Sequence, residues 1–248
     1  MRKFVVGDLH GNYLGLMQCL EKVKFNKEED LLISLGDICD GYNQVYEIVE
    51  ELLSFKHFIL IRGNHDEPFM EFMKTGLHPW NWQQGGEGTR DSYYKSTEKA
   101  YNQPLVVPES HKDFFNKSLL YYVDEDKNLF VHGGFNRHYP IEGQPDLVYT
   151  WDRDFWASAL SFAASQRSSD SFLKFKTKDK FKNIFLGYTP TLNWDRLTPM
   201  QAGNVYNIDT GAGFTGSVTI MNIDTLLSVQ SEVARVLYPT YKGRRKTL

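Results

Sequence analysis

Three short stretches hold residues able to bind a metal or move a proton: Gly7-Asp8-Leu9-His10-Gly11, Gly36-Asp37-Ile38-Cys39-Asp40-Gly41 and Ile61-Arg62-Gly63-Asn64-His65-Asp66. A fourth, His132-Gly133-Gly134, follows later. Asp8 and Asp37 are 29 positions apart, and Asp37 and Asn64 are 27 apart. The chemistry these residue types suit is phosphate-ester hydrolysis near neutral pH. It requires hydroxide at phosphorus and neutralised charge on the non-bridging oxygens, and two divalent ions about 3.5–4 Å apart supply both. Such a pair takes oxygen and imidazole ligands, with a carboxylate shared between the ions. Asp8, His10, Asp37, Asn64 and His132 supply that set, mostly beside glycines that let the backbone approach closely. Gly-Asp-Leu-His-Gly alone would read as a tight turn with a capping aspartate. The order and spacing of all four stretches point to a metal site.

The elements that must position these residues can be read from the apolar runs before them. Lys3 to Val6, Leu31 to Leu35 and Phe58 to Ile61 read as strands, each ending at a motif. Between them, Leu16, Met17, Leu20 and Val23 fall at helical spacing behind a capping Asn12, and Val45, Ile48, Val49, Leu52 and Leu53 mark a second helix. This βαβαβ order predicts a parallel sheet with all three motif loops along one edge. The segment 78–118 breaks the pattern. It holds Pro79, Trp80, Trp82, Gly85, Gly86, Gly88, Tyr93, Tyr94 and Tyr101, then a helical Pro108 to Asn116, and reads as an inserted cap whose aromatic residues pack together or stack a substrate ring. Leu129 to Val131 resumes the strands. Phe155 to Gln166 and Ser171 to Lys182 are expected as helices, with a polar stretch at Arg167 to Asp170 between them. Ile184 to Leu186, Val205 to Ile208, Ser217 to Asn222 and Leu226 to Gln230 are expected as strands of a mostly antiparallel second sheet.

The chain has 248 residues, 41% of them hydrophobic and 15% aromatic, which predicts one domain over 1–248 with a sizeable core. A net charge of -3 gives no wholly basic surface for nucleic acid. Cys19 and Cys39 lack metal-binding spacing and are expected to be reduced apolar thiols. There is no apolar signal region, and no apolar run approaches the ~20 residues of a membrane span, so a cytoplasmic protein without a membrane partner is expected. The basic tail Lys242-Gly243-Arg244-Arg245-Lys246 is expected to be a solvated terminus.

From Gly7 to about Asn222 the chain resembles the calcineurin-like metallophosphoesterases, of the phosphoprotein-phosphatase type that includes bacteriophage and bacterial serine/threonine phosphatases and diadenosine tetraphosphatases. The resemblance implies an α/β fold, a four-layer α/β/β/α sandwich with a dinuclear centre at the strand ends. It implies two divalent ions, manganese or else iron or zinc. Asp8 and His10 would hold one ion, Asn64 and His132 the other, with Asp37 bridging. His65 would protonate the leaving alcohol with Asp40 as its partner, a role that suits a histidine beside a carboxylate. Arg62 and Arg153 match the family's phosphate-gripping arginines, whose guanidinium meets two phosphoryl oxygens at once.

Two departures from the family stand out. Asp40-Gly41-Tyr42 replaces the usual Asp-Arg-Gly, so one phosphate-binding arginine is missing; looser recognition, or help from an insertion residue such as Arg90, is expected. Gly187-Tyr188-Thr189 stands where relatives carry Gly-His-Thr, so the second metal position should be weak unless another residue, for instance His138, compensates. Asp209 in Asn207-Ile208-Asp209-Thr210-Gly211 is expected to border the site or to cap a turn. The function expected is a metal-dependent phosphatase of phosphomonoesters, phosphoserine or phosphothreonine in proteins foremost, acting by direct attack of metal-bound hydroxide. The alternatives are hydrolysis of dinucleoside polyphosphates or nucleic-acid ends and, in another class, a phosphate-binding scaffold that has lost catalysis.

Overall fold

Three parallel strands begin the fold in the computed structural model, which describes residues 1–80, 82–166 and 174–244. Strands β1 (Lys3–Val6), β2 (Leu31–Ser34) and β3 (His57–Leu60) pair side by side in that order. Helices α1 (Tyr13–Lys22) and α2 (Val45–Leu53) make the crossovers. The side chain of Asn12 starts α1 by accepting from the Gly15 N–H at 2.9 Å, as its capping position required. Because the strands are parallel, their carboxyl ends share one edge, and the three motif loops leave from it.

The rest of the chain builds outward from this unit. Helix α3 (Asp66–Thr75) follows the third motif directly. Helices α4 (Gly86–Ser96) and α5 (Glu109–Asn116) form the ordered part of the predicted insertion. Trp82, Tyr93, Phe114 and Phe115 are buried in the same core as Leu16, Leu20, Ile48 and Phe69, so most of the segment's aromatic residues serve packing. Strands β4 (Tyr121–Val123), β5 (Leu129–Val131), β6 (Ile184–Leu186), β7 (Met200–Ala202) and β8 (Val205–Asn207) form a second sheet in the order β4-β5-β6-β8-β7. Helices α6 (Asp146–Trp151) and α7 (Asp154–Ser165) lie between β5 and β6 in the chain. Strands β9 (Thr219–Asn222) and β10 (Ser228–Gln230) lead to a short helix, α8 (Ala234–Leu237).

Three layers of contact bind these parts into the expected four-layer sandwich. Val5, Ile33, Phe130, Phe185, Tyr206 and Met221 interlock between the two sheets. Helices α1 and α2 cover the outer face of the first sheet, and Phe155, Trp156 and Ala159 of α7 cover that of the second. Phe130 and Phe185 stack with ring centroids 5.1 Å apart and no exposure, so truncating either to alanine should cost about 3–5 kcal/mol. Cys19 and Cys39 are free and buried, as expected. No helix among the described residues is long and apolar enough to cross a membrane.

Three expectations are corrected. The second sheet is mixed rather than mostly antiparallel: β5, β6 and β8 run parallel, with β4 and β7 antiparallel at its edges. The strands expected at Ser217 to Asn222 and Leu226 to Gln230 join the first sheet instead, β9 pairing antiparallel with β1 through Val5 and Met221. Of the helix expected over Ser171 to Lys182, residues 174–182 are not helical. Phe175 and Phe181 there plug the core separately, and Asn204 holds the intervening chain by accepting from the Phe175 N–H and donating to the Phe181 carbonyl. The start of that segment, the stretch Arg167 to Asp170, and Arg245 and Lys246 of the tail lie outside the described residues.

Candidate active site

The loops at the strand ends adopt backbone that residues with side chains seldom take. His10, Asp37, Asp40 and Tyr188 have φ of 47°, 49°, 65° and 68°. Left-handed conformations at such residues persist where the surroundings over-determine them. Here the buried carboxylate of Asp66 does much of that. It accepts from the backbone N–H groups of Gly63, Asp37, Ile38 and Cys39 at 2.9–3.1 Å, tying the third motif to the second. Gly63 packs so closely that a Cβ there would run into the Asp37 carboxylate, and one at Gly187 would run into Asp8.

These loops bring Asp8, His10, Asp37, Asn64 and His132 into one buried cluster. Asp37 lies between the two histidines. Its Oδ2 is 3.4 Å from His10 Nε2, and its Oδ1 is 3.4 Å from His132 Nε2. Asp8 Oδ2 is 3.8 Å from His10 Nε2, and Asn64 Oδ1 is 3.1 Å from His132 Nε2. Donor atoms of Asp8, Asp37 and His132 all lie within 4.8 Å of one another. The Nδ1 of each imidazole faces backbone carbonyls, Cys39 and Asp40 for His10 and Leu35 for His132. Those carbonyls need a donor, so each Nδ1 carries a proton and Nε2 is the nitrogen directed into the cluster.

The electrostatics fit a cation. Asp37 Oδ2 is buried with no hydrogen-bond partner, a costly condition that a metal ligand escapes. Burial, then the neighbouring Asp209, pushes the Asp8 carboxyl well up, and burial lifts Asp209 to about 6. For Asp37 burial acts upward too, but His132, His65 and His10 outweigh it and hold the carboxyl well below its usual range. Burial likewise opposes charge on His132, yet Asp37 and Asp8 raise it to about 10. His10 is driven well down by burial and then by the Arg244 guanidinium, which leaves it the neutral imidazole a metal takes. Buried carboxylates crowded around inward-facing Nε2 atoms are therefore a donor set suited to divalent ions.

Beside the cluster, His65 Nδ1 meets Asp40 Oδ2 at 2.9 Å. The other oxygen of Asp40 accepts from Trp82 Nε1 at 2.7 Å and from Thr89 Oγ1 at 3.3 Å. His65 and Asn64 open onto a cavity of about 980 Å³ that Trp151, Arg153, Tyr188, Phe214, Tyr241 and Arg244 also line. Arg153 lies over the Tyr188 ring, its Cζ 4.6 Å from the centroid. The Tyr188 backbone N–H donates to both Asp8 oxygens at 3.2 Å, while burial raises its phenol, with Arg153 acting the other way. Arg62, two residues before Asn64, donates through Nε to Ser118 Oγ at 3.2 Å and is not among the residues that line this cavity. Arg90 lines a separate pocket with Phe72 and Tyr94, and His138 is exposed, so neither supplies the help expected of it.

Reasoning from sequence missed Asp66, the Trp82 and Thr89 clasp on Asp40, and Arg244. Asp66 stood in the third motif with no role assigned. Trp82 and Thr89 carried no local signal. The basic tail predicts a solvated Arg244; the structure corrects this, with Arg244 Nη1 reaching His10 Nε2 at 3.1 Å.

The chain belongs to the calcineurin-like phosphoesterase family, which matches it over residues 1–207. It is therefore a metallophosphoesterase of a class that uses divalent metals. Two relatives carry the likeness over nearly full length. Serine/threonine-protein phosphatase 1 of Salmonella typhimurium is 36% identical over 220 residues, 89% of this chain and 91% of the relative. The symmetrical bis(5'-nucleosyl)-tetraphosphatase of Pseudomonas syringae is 22% identical over 282 residues, 91% of this chain and 90% of the relative. Among solved structures, one provisionally assigned as a diadenosine tetraphosphatase superposes with a TM-score of 0.64 at 15% identity, covering 93% of both chains, and shares the fold.

Proposed function

We propose that this chain is a dinuclear metal-dependent phosphatase of phosphomonoesters, with phosphoserine and phosphothreonine in proteins as the substrate class. The observation that carries the reading is Asp37, whose two oxygens face His10 on one side and His132 on the other. Asp8 lies 3.8 Å from the first histidine and Asn64 3.1 Å from the second, which supports a reading of two ligand groups around one shared carboxylate. Divalent ions held there, manganese foremost, would supply Lewis-acid charge that activates water and neutralises phosphoryl oxygens.

The remaining steps belong to the protein's own groups. Asp40 accepts from His65 Nδ1, so the imidazolium form would give its Nε2 proton to the departing oxygen and be left neutral. Asp40 is itself fixed by Trp82 and Thr89, so the ring keeps one orientation. Arg153, laid over Tyr188, presents a planar guanidinium to the cavity for the phosphoryl oxygens. With Tyr188 serving as that platform, the second metal position would have one protein ligand fewer than the resemblance implies and should be the weaker.

The substrate class rests on the 36% identity to a serine/threonine phosphatase across nearly the whole chain. A dinucleoside polyphosphate is the second reading, favoured by the aromatic lining of the cavity at Trp151, Tyr188 and Phe214, which suits a base. Turnover of a phosphothreonine peptide and of diadenosine tetraphosphate by manganese-loaded protein separates them. A kcat/KM at least tenfold higher on the peptide supports the first reading, and the reverse order replaces it with the second.

A further inference from the structure

Gly41 and Tyr42 stand where the family that the chain resembles usually has Arg-Gly, and the C-terminal segment packs against both. Tyr42 stacks on Tyr238 with ring centroids 4.4 Å apart, and Gly243 lies against the Tyr42 ring. The segment is pinned further where Tyr238 Oη donates to Gln44 at 2.6 Å, Tyr241 Oη donates to Asp91 at 3.1 Å, and the Arg244 N–H donates to the Gly213 carbonyl at 2.7 Å. These contacts fold the chain back over the strand ends.

Gly41 is where the arginine of the usual motif would stand. A Cβ built there, on backbone with φ of 119°, would lie 2.8 Å from the His10 carbonyl and 3.3 Å from Arg244 Cγ. The Arg244 side chain thus fills the space beside position 41. Its Nη2 donates to Gln84 Oε1 at 3.1 Å, and its Nη1 lies 3.1 Å from His10 Nε2, a contact that a metal on that nitrogen would displace, freeing Nη1 as well. Its Nε is buried without a hydrogen-bond partner, and no ion pair among the described residues includes it. A half-buried guanidinium with an unused buried Nε donor, no carboxylate in ion-pair contact and a place on the wall of the His65 cavity is poised for an anion.

We propose that Arg244 is a phosphate-binding residue, delivered by the C-terminal segment to the place that Gly41 leaves open. This deepens the phosphatase reading and rests on it for the nature of the anion. Arg153 and Arg244 then grip the phosphoryl group from two parts of the cavity wall, which answers the loss of the motif arginine without recourse to Arg90.

The test uses the full chain loaded with manganese, and compares wild type with Arg244→Ala and Arg244→Lys. Inorganic phosphate binding is measured by calorimetry and aryl-phosphate turnover in parallel. Arg244→Ala should bind phosphate at least tenfold more weakly and lose about 10²-fold in kcat/KM, with manganese content unchanged. Guanidinium ion added to the solution should restore part of the alanine variant's turnover, and Arg244→Lys should fall between. Unchanged phosphate affinity, a rise in turnover on removing Arg244, or loss of manganese from the alanine variant would each overturn the proposal. If wild type turns over no phosphoester yet binds phosphate through Arg244, the phosphatase reading fails and this inference stands. If wild type is active and Arg244→Ala matches it, this inference alone fails.

Discussion

The indole of Trp82 donates to Oδ1 of Asp40 at 2.7 Å, so a residue of the 78–118 segment holds the carboxylate that pairs with His65. Both partners are buried, and Thr89 Oγ1 is the other side chain on that oxygen. Replacing Trp82 by phenylalanine keeps most of the packing and removes the donor. The lost hydrogen bond should cost about 1 kcal/mol of positioning, or about three- to tenfold in kcat on alkyl phosphates, with manganese binding retained. Steady-state kinetics with metal analysis checks this; unchanged kcat would show that Asp40 is held without the indole.

For His65 itself the effect should be larger. His65→Asn should retain manganese and slow alkyl phosphates by about 10²–10⁴-fold, with aryl phosphates, whose leaving groups need less protonation, losing less. Equal loss on both substrate types, with metal intact, would remove His65 from the proton-transfer role.

The placement of Asp37 separates it from Asp8. Asp37 lies 3.4 Å from both histidines through separate oxygens, whereas Asp8 lies 3.8 Å from His10 and within 4.8 Å of His132. Asp37→Asn should therefore lower manganese occupancy at two positions and Asp8→Asn chiefly at one. Metal content after gel filtration decides, and identical loss from the two variants would contradict a bridging carboxylate.

Tyr188 should act through Arg153 rather than through metal. Arg153 lies 4.6 Å above the ring, a contact worth about 0.5–2 kcal/mol. Tyr188→Leu should raise KM about three- to tenfold while manganese stoichiometry holds. A drop in stoichiometry would make the phenol a ligand instead.

Much of the first sheet and its loops was legible because local signals agreed: apolar runs ended at Asp8, Asp37 and Asn64, with helical spacing between them. The destination of β9 was not. An apolar run such as Val218 to Met221 fits either sheet, and its choice is set by pairing with Val5, more than two hundred residues earlier. Phe175 and Phe181 misled for a related reason, since their spacing suits a helix, yet each fills a separate gap in the core. Arg244 was hidden because a basic tail reads alike whether solvated or docked. What docks it is Tyr238 stacked on Tyr42 and Tyr241 tilted beside the same ring, a set of contacts with no periodicity to detect. Trp82 joined Asp40 across 42 positions, which spacing alone does not reveal.

The central claim is that the Asp8, His10, Asp37, Asn64 and His132 cluster works as a metal centre for phosphoester hydrolysis. Titrating chelator-stripped protein with manganese, while binding and aryl-phosphate turnover are followed on the same sample, tests it most directly. The account predicts no turnover before addition, one ion bound tightly and a second more weakly, and activity that climbs mainly as the second position fills. Turnover that persists in excess chelator, or a chain that takes up no manganese, would contradict it.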